Sequence, residues 1–357
     1  MPIAPLKRKP KGPRPISLAL QGGGSHGAFE WGVIERLLEE ESLEIQAITA
    51  ASAGAMNAVA YASGLIAGGR EGAKASLDDF WKQVNRNGGR NVFGDTSIWT
   101  SAFGGAFGGA ADWIKNTPGW RLAETLALSM SPYEFNPFNL NPLNDILDAA
   151  IDFTALRTRS PVKLYIAATA VRTSKAKVFR ETELTARHVL ASACLPQVFQ
   201  AVEIDGEPYW DGGFLANPPL WPLFYDKTPD DILLVSLNPF VRDETPKTPG
   251  EIMDRLNEIT FNAALSSELR AIGFVQKLLD EGLLKDNARG RYRRMLLHAI
   301  KADEPLADLS LASKFNTEWS FLTDLKARGR KAAEAWLGEC LPLVGERSTV
   351  DLKSGFA

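Results

Sequence analysis

The run Ile16-Ser17-Leu18-Ala19-Leu20 ends in three glycines, a pattern that predicts a buried strand feeding a turn. From His26 the period changes to that of a helix. Phe29, Val33, Ile34, Leu37 and Leu38 share one face, and Glu30, Glu35, Glu39 and Glu40 fall largely on the other. Ile45-Gln46-Ala47-Ile48-Thr49 predicts a second strand, and the Ala-rich stretch Ala53 to Gly64, with Met56 and Val59, a second and deeply buried helix. A βαβα opening this short implies neighbouring parallel strands joined by a right-handed crossover.

Between about 85 and 142 the rhythm is lost to Gly, Asn, Pro and aromatic residues, which marks an insert. Its uncharged run from Thr96 to Ala111 is shorter than the roughly 20 apolar residues that span a bilayer, and its glycines weaken any helix. The stretch from Trp99 to Trp113 suits either a lid or acyl pocket, or an ordinary core-packing insertion. Strand-like runs return at Val162 to Ala167 and Ile232 to Leu237, and Tyr209-Trp210 forms a short strand leading into Asp211-Gly212-Gly213. Thr248-Pro249-Gly250-Glu251 has the chemistry of a capping box, after which the chain reads as mainly helical. The expected organisation is a basic arm over 1–15, an α/β domain over 16–240 and a helical portion over 241–357 packed on it. Apolar faces at Trp319 to Leu322 and Ala332 to Leu337 could meet the sheet or a second subunit, so a homodimer stays open.

Composition narrows the function classes. Of 357 residues, 45% are hydrophobic and 23% charged, as in ordinary globular proteins. Forty Lys and Arg against forty-three Asp and Glu leave a net charge of −3, which argues against a nucleic-acid partner. Cys194 and Cys340 stand outside any Cys-x-x-Cys or Cys/His array, so neither a disulfide framework nor a metal site is expected, and a reducing cytoplasm suits this usage. The N-terminal MPIAPLKRKPKGPRP lacks the apolar core of a secretory signal. It reads as an arm that is either solvated or in peripheral contact with anionic lipid, and the cluster Arg289, Arg291, Arg293 and Arg294 carries the same two readings.

Gly22-Gly23-Gly24-Ser25-His26-Gly27 lies between strand and helix, where backbone N–H groups converge on an anion. Gly22, Gly24 and Gly27 also satisfy the dinucleotide pattern G-x-G-x-x-G. That reading needs an acid at the end of the second strand; Ser52 stands there, and Glu41 and Glu44 precede the strand. Ala50-Ala51-Ser52-Ala53-Gly54 has the small residues of a nucleophile elbow, with Ala50 for its first glycine. Taken alone, Ser52 reads as a helix cap and Asp211-Gly212-Gly213 as a turn. Together with a glycine loop on the adjacent strand, they read as a nucleophile and its general base beside an oxyanion hole.

The three motifs resemble those of the patatin-like phospholipases: a Gly-Gly-Gly-x-Arg/Lys-Gly loop, a Gly-x-Ser-x-Gly elbow and an Asp-Gly-Gly/Ala segment, in that order. Ser192-Ala193-Cys194-Leu195-Pro196-Gln197-Val198-Phe199 and Asn217-Pro218-Pro219 are similar to the family's flanking segments, so the resemblance runs from Ile16 to about Leu237. It implies an α/β fold of three layers around a mostly parallel sheet, with Ser52 as nucleophile and Asp211 as base without a histidine. Gly22, Gly23 and Gly24 would form the oxyanion hole, supported by His26, Gly27, Gly54, Gly212 and Gly213. No cofactor is implied. The implied substrate is a lipid or other fatty-acyl ester, hydrolysed through an acyl-enzyme; acyl transfer and a lipid-binding pseudoenzyme are the alternatives. Two positions depart from the pattern. Ala50 replaces a glycine, and His26 replaces Arg or Lys, which would make the charge at the loop pH-dependent. The order Ser52, Asp211, His298 imitates an α/β-hydrolase triad, but too little sheet precedes Ser52, so His298 is expected to be a packed or surface residue.

Overall fold

Strand β1 (Arg14–Leu20) turns Ile16, Leu18 and Leu20 into one apolar cluster and Ala19 into another, so both of its faces are covered. A strand covered on both faces belongs inside a parallel sheet. The computed structural model describes residues 12–88, 131–283, 292–309 and 311–352. Most of the basic arm, the stretch 96–113, and Arg289 and Arg291 lie outside the described residues.

The sheet contains β2 (Leu43–Ala50), β3 (Lys163–Ala170), β4 (Lys175–Arg180), β5 (Val202–Ile204), β6 (Glu207–Asp211), β7 (Asp231–Ser236) and β8 (Leu296–Lys301), in the order β5-β6-β3-β2-β1-β7-β8 with β4 also on β3. From β3 through β8 the neighbours on this path are parallel, whereas β4, β5 and β6 join antiparallel. The expected strands and their parallel order are thus present, and β1 begins at Arg14, inside what reads as the arm.

Helix α1 (Gly27–Leu38) and α2 (Ala53–Gly88, broken at Gly68 and Gly69) cover one face. Short helices α3 (Pro132–Phe135), α4 (Pro142–Ala150), α5 (Phe153–Arg159) and α6 (Ala186–Ser192) follow, then α7 (Trp221–Tyr225) and α8 (Pro249–Asp280) on the opposite face. The capping box of α8 is formed: Thr248 N–H donates to Glu251 Oε2 at 3.0 Å, and Glu251 N–H to Thr248 Oγ1 at 3.3 Å. Helix α9 (Trp319–Cys340) returns to the first face. The result is a three-layer α/β/α fold with two long helices, α8 and α9, in its C-terminal portion.

That portion, expected to be mainly helical, also supplies β8 over the run Leu296-Leu297-His298-Ala299-Ile300-Lys301. Paired in parallel with β7, it is a short strand with Leu297, His298 and Ile300 buried, and a six-residue apolar run does not distinguish strand from helix. Glu30 differs as well. It is fully buried because α1 is sandwiched between α2 and α9, and its Oε2 accepts from Asn57 Nδ2 at 3.1 Å. Desolvation holds its carboxyl well above the ordinary carboxylate pKa.

Helices α1 and α9 cross closely because each offers a glycine at the contact. A Cβ added at Gly32 would stand 2.0 Å from the Lys326 carbonyl oxygen, and one at Gly329 2.0 Å from that of Phe29. Ion pairs from Arg330 to Glu35 (2.8 Å) and Glu39 (3.0 Å) flank the crossing. Leu322, Leu325, Ala333, Trp336 and Leu337 form the buried stripe of α9. Gly329→Ala is expected to force the helices apart and cost about 2 kcal/mol or more of unfolding free energy in urea titration. A loss under about 0.5 kcal/mol would show that the crossing tolerates a methyl group.

Candidate active site

Strand register brings the three motifs to one level. Leu20 pairs with Ala50, Ala50 with Ile166, and Ala168 with Asp211. Gly22 lies two residues past Leu20, Ser52 two past Ala50, and Ala168 two past Ile166. The glycine loop and Asp211 therefore flank Ser52 on its two sides. Their closeness is visible at Gly22, where an added Cβ would stand 2.7 Å from Ser52 Cβ.

Ser52 occupies the turn between β2 and α2 with φ 53°, a left-handed conformation that is strained for a residue with a side chain. Its N–H donates to Ser192 Oγ at 2.9 Å, and its carbonyl accepts from the N–H groups of Ala55 (2.9 Å) and Met56 (3.2 Å). The turn fits only small neighbours: a Cβ at Gly54 would meet the Leu20 carbonyl oxygen at 2.6 Å. Ala50, by contrast, is an ordinary fully buried strand residue, so its methyl group is accommodated before the turn begins.

Asp211 ends β6 and is fully buried. Its N–H donates to the Cys194 carbonyl at 2.8 Å, its carbonyl accepts from Thr169 Oγ1 at 2.8 Å, and its Oδ1 accepts from the Gly213 N–H at 2.7 Å. Gly212 and Gly213 leave no room for a side chain, since added Cβ atoms would meet the Ala167 carbonyl oxygen at 2.2 Å and the Phe261 ring at 2.4 Å. Burial raises the Asp211 pKa to about 7, against the opposing pull of the Gly213 N–H, the Ser52 hydroxyl and the Lys314 charge. The Ser52 hydroxyl is close enough to favour the ionised carboxylate, yet Oδ2 makes no hydrogen bond of ordinary geometry among the described residues. The contact is thus near but not aligned, as is common before substrate binds.

The loop glycines divide their tasks. The Gly22 N–H already donates to Asn217 Oδ1 at 2.6 Å, and the Gly22 carbonyl accepts from Asn238 Nδ2 at 3.1 Å. Gly23 and Gly24 line the cavity that holds Ser52 and Asp211. Gly24 has φ 57°, and a Cβ there would stand 2.5 Å from the Lys314 carbonyl oxygen. Gly27 begins α1 against Ala53, which an added Cβ would approach to 2.7 Å.

His26 does not carry the pH-dependent charge expected of it. It is buried, its Nε2 lies 2.7 Å from Ser313 Oγ, and its ring tilts against Phe321. Desolvation, reinforced by the nearby Lys314 charge, lowers its pKa to about 3, so the imidazole is neutral near pH 7. Lys314 itself lines the cavity. Lys314, Ser192 and Asn238 are site residues that the motifs alone do not mark as polar partners; Lys314 stands more than 250 residues beyond Ser52, with no local pattern to announce it.

His298 is placed far from this group. It pairs with Leu233, which pairs with Leu18, three strands from β2 and four residues before Gly22. At about 4.8 Å per strand and 3.3 Å per residue, that is roughly 14 Å across the sheet and 13 Å along it. There it is buried, with Nε2 2.9 Å from Asp231 Oδ1 and Nδ1 3.1 Å from Thr349 Oγ1.

The cavity holds about 260 Å³. Met56, Phe80, Trp81 and Val84 of α2 and Leu143 of α4 give it an apolar wall, while Asn257 and Thr260 of α8 and Lys314 add polar groups. An apolar cleft with a few convergent polar atoms is the usual form of a small-molecule site.

The Asp211 pKa has a stability consequence. Below pH 3.8 the carboxyl is protonated in both folded and unfolded chains. Between about 4 and 7 the folded state keeps a proton that the unfolded state has lost, so stability falls as pH rises. Above 7 the full cost is present, on the order of 4 kcal/mol. Asp211→Asn, which keeps the shape without the charge, is expected to raise the unfolding free energy in urea at pH 8 by roughly 1 to 3 kcal/mol, with little gain at pH 4. A variant less stable than the parent at pH 8 would contradict this assignment.

The description Patatin-like phospholipase belongs to the family model that matches residues 18–224, a span that takes in the glycine loop, Ser52 and Asp211. Among solved structures, VipD from Legionella pneumophila is 15% identical with a TM-score of 0.39, over 92% of this chain and 67% of that one. ExoU in its complex with SpcU, from the type III secretion system of Pseudomonas aeruginosa, is 17% identical with a TM-score of 0.34, over 92% of this chain and 60% of that one. This chain therefore spans about three fifths of the ExoU chain. A comparison with curated proteins gives no match. On the strength of the family match, which covers more than half of its length, the chain belongs to the patatin-like phospholipase family.

Proposed function

We propose that this protein hydrolyses fatty-acyl esters of phospholipids or related lipids through an acyl-enzyme on Ser52, with Asp211 as general base. The observation that carries this reading is the pairing of a serine in a left-handed elbow with a buried carboxylate whose Oδ2 is uncommitted, both facing one apolar cavity.

In this mechanism Ser52 Oγ attacks the ester carbonyl carbon as its proton passes to Asp211. Negative charge develops on the carbonyl oxygen, which in this reading is stabilised by the N–H groups of Gly23 and Gly24, both of which line the cavity, and by the N-terminal end of α1. Gly22 serves the hole through its lack of a side chain, because its own N–H is held by Asn217. The C–O bond to the alcohol breaks, and the alcohol leaves with the proton held by Asp211. Water then gives a proton to the same carboxylate and attacks the acyl carbon, the bond to Ser52 Oγ breaks as Oγ takes that proton back from Asp211, and the fatty acid is released. Acyl transfer would share every step except the last, with an alcohol replacing water.

The apolar wall from α2 and α4 suits the acyl chain. Met253 and Leu256 of α8 line the cavity yet are 55% and 52% exposed, and Ile252 and Ile259 extend the same helix face. Apolar side chains at the entrance would let the protein approach a lipid surface peripherally. Among the described residues no helix is long and apolar enough to cross a membrane.

A base with a pKa near 7 sets the pH profile. For a soluble, uncharged short-chain ester, kcat/KM is expected to rise with pH through an apparent pKa near 7, because Asp211 must be ionised to accept the proton. Ser52→Ala and Asp211→Asn should each lower kcat/KM by about a thousandfold or more in a folded protein. A flat profile between pH 5 and 9, or variants retaining a tenth of the activity, would reject the dyad. Product analysis with added alcohol separates hydrolysis from transfer.

A further inference from the structure

Each polar backbone group of Gly22 is held by an asparagine: its N–H donates to Asn217 Oδ1 at 2.6 Å, and its carbonyl accepts from Asn238 Nδ2 at 3.1 Å. The preceding residue, Gln21, joins those two asparagines. Gln21 Oε1 accepts from the N–H groups of Leu237 and Asn238, each at 2.8 Å, and Gln21 Nε2 donates to the Asn217 carbonyl at 3.3 Å and to Asn262 Oδ1 at 2.9 Å. Asn262 of α8 in turn donates from Nδ2 to the Asn238 carbonyl at 3.3 Å. Four amide side chains thus surround the start of the glycine loop, and all four are buried.

We infer that Gln21 is a positioning residue for the reaction, fixing the glycine loop through Asn217 and Asn238 so that the N–H groups of Gly23 and Gly24 meet the developing oxyanion. The inference rests on the acyl-ester reading above and adds to it a residue outside both the dyad and the glycine motif.

The Gln21 amide suits that task because none of its hydrogen-bonding capacity is spare. A primary amide offers two N–H donors and two acceptor lone pairs, and Gln21 commits all of them to three separate segments: the exit of β7, the turn after Asp211 and α8. In a site closed to water, a hydrogen bond lost on displacement is not replaced, so a fully partnered amide resists movement. Asn217 depends on that hold. With Oδ1 on Gly22, its Nδ2 has no hydrogen-bond partner among the described residues, so its side chain has no second anchor, and Gln21 holds its backbone instead. Tolerance at the loop is small: a Cβ added at Gly22 would stand 2.7 Å from Ser52 Cβ and 3.2 Å from Asn217 Oδ1. A shift on the order of 1 Å there misplaces the oxyanion donors relative to Ser52. Gln21, Asn217 and Asn238 do not line the cavity, so they act through the loop and not on the substrate.

The test reads the loop first and the reaction second. In amide-resolved hydrogen exchange, Gln21→Met is expected to speed exchange at the Gly22 N–H by about tenfold or more, while Leu18 and Leu20 in β1 change by less than about twofold. With a soluble short-chain ester, the same variant should lose about a hundredfold in kcat and keep KM within about threefold, because the displaced donors act on the developing oxyanion and not on the bound ester. Should Gln21→Met fail to fold, Asn217→Ala cuts the same path at the loop and is expected to give the same exchange pattern and the same loss in kcat. Equal acceleration at Gly22 and along β1 would reduce Gln21 to general stability, and unchanged exchange at Gly22 would show that the loop is held without it. Either result overturns the inference, as does a kcat that survives in a folded variant whose Gly22 exchange has risen. A parent protein that turns over no ester would reject the dyad, whereas the exchange measurement would still decide whether Gln21 fixes the loop.

Discussion

Removing a carboxylate from water costs several kcal/mol unless hydrogen bonds and nearby positive charge compensate. At Asp211 the compensation is partial: one oxygen is held by the Gly213 N–H, Lys314 contributes at longer range, and the other oxygen lacks an aligned partner. The rest of the site is consistent with this imbalance. A fully satisfied carboxylate would be a weak base, and a fully exposed one would have an acidic pKa and no preference for Ser52. Thr169 and Cys194 fix its backbone, and two glycines with no room for a Cβ bring the chain round it.

Placement of that carboxylate depends on elements distant in sequence. Strands β1, β2 and β3 run parallel with matched ends, and β6 enters antiparallel so that its last residue reaches the same level. The close crossing of α1 with α9 holds the C-terminal portion against the helix that starts at the glycine loop. The Leu311–Phe315 segment precedes α9 and meets the loop through Ser313 and Lys314. The C-terminal portion, beyond the family-matched segment, thereby contributes a charged group to the cavity.

Much of this architecture was legible where local pattern and tertiary role coincide. The strand, glycine loop and amphipathic helix at 16–38, the elbow at Ser52, and the strand ending at Asp211 each combine periodicity with turn chemistry, and the capping box at Thr248 announces α8. The misses share a physical cause. Strand β8 is a short apolar run without period, and β4 and β5 are short strands joined at the antiparallel end of the sheet. Glu30 reads as a solvent-facing helix position until α9 covers it. His26 is basic by residue type, but burial makes it neutral, and Lys314 acquires its setting only through long-range packing. Ionisation depends on surroundings that no sequence window contains.

The central claim is that Ser52 is a nucleophile activated by its neighbours. The most direct measurement is incubation of the folded protein with a long-chain alkyl fluorophosphonate, followed by peptide mass spectrometry to locate the adduct. The account predicts one stoichiometric adduct on Ser52, formed more slowly in Asp211→Asn. An adduct on another residue, or none on Ser52 in folded protein, would contradict it.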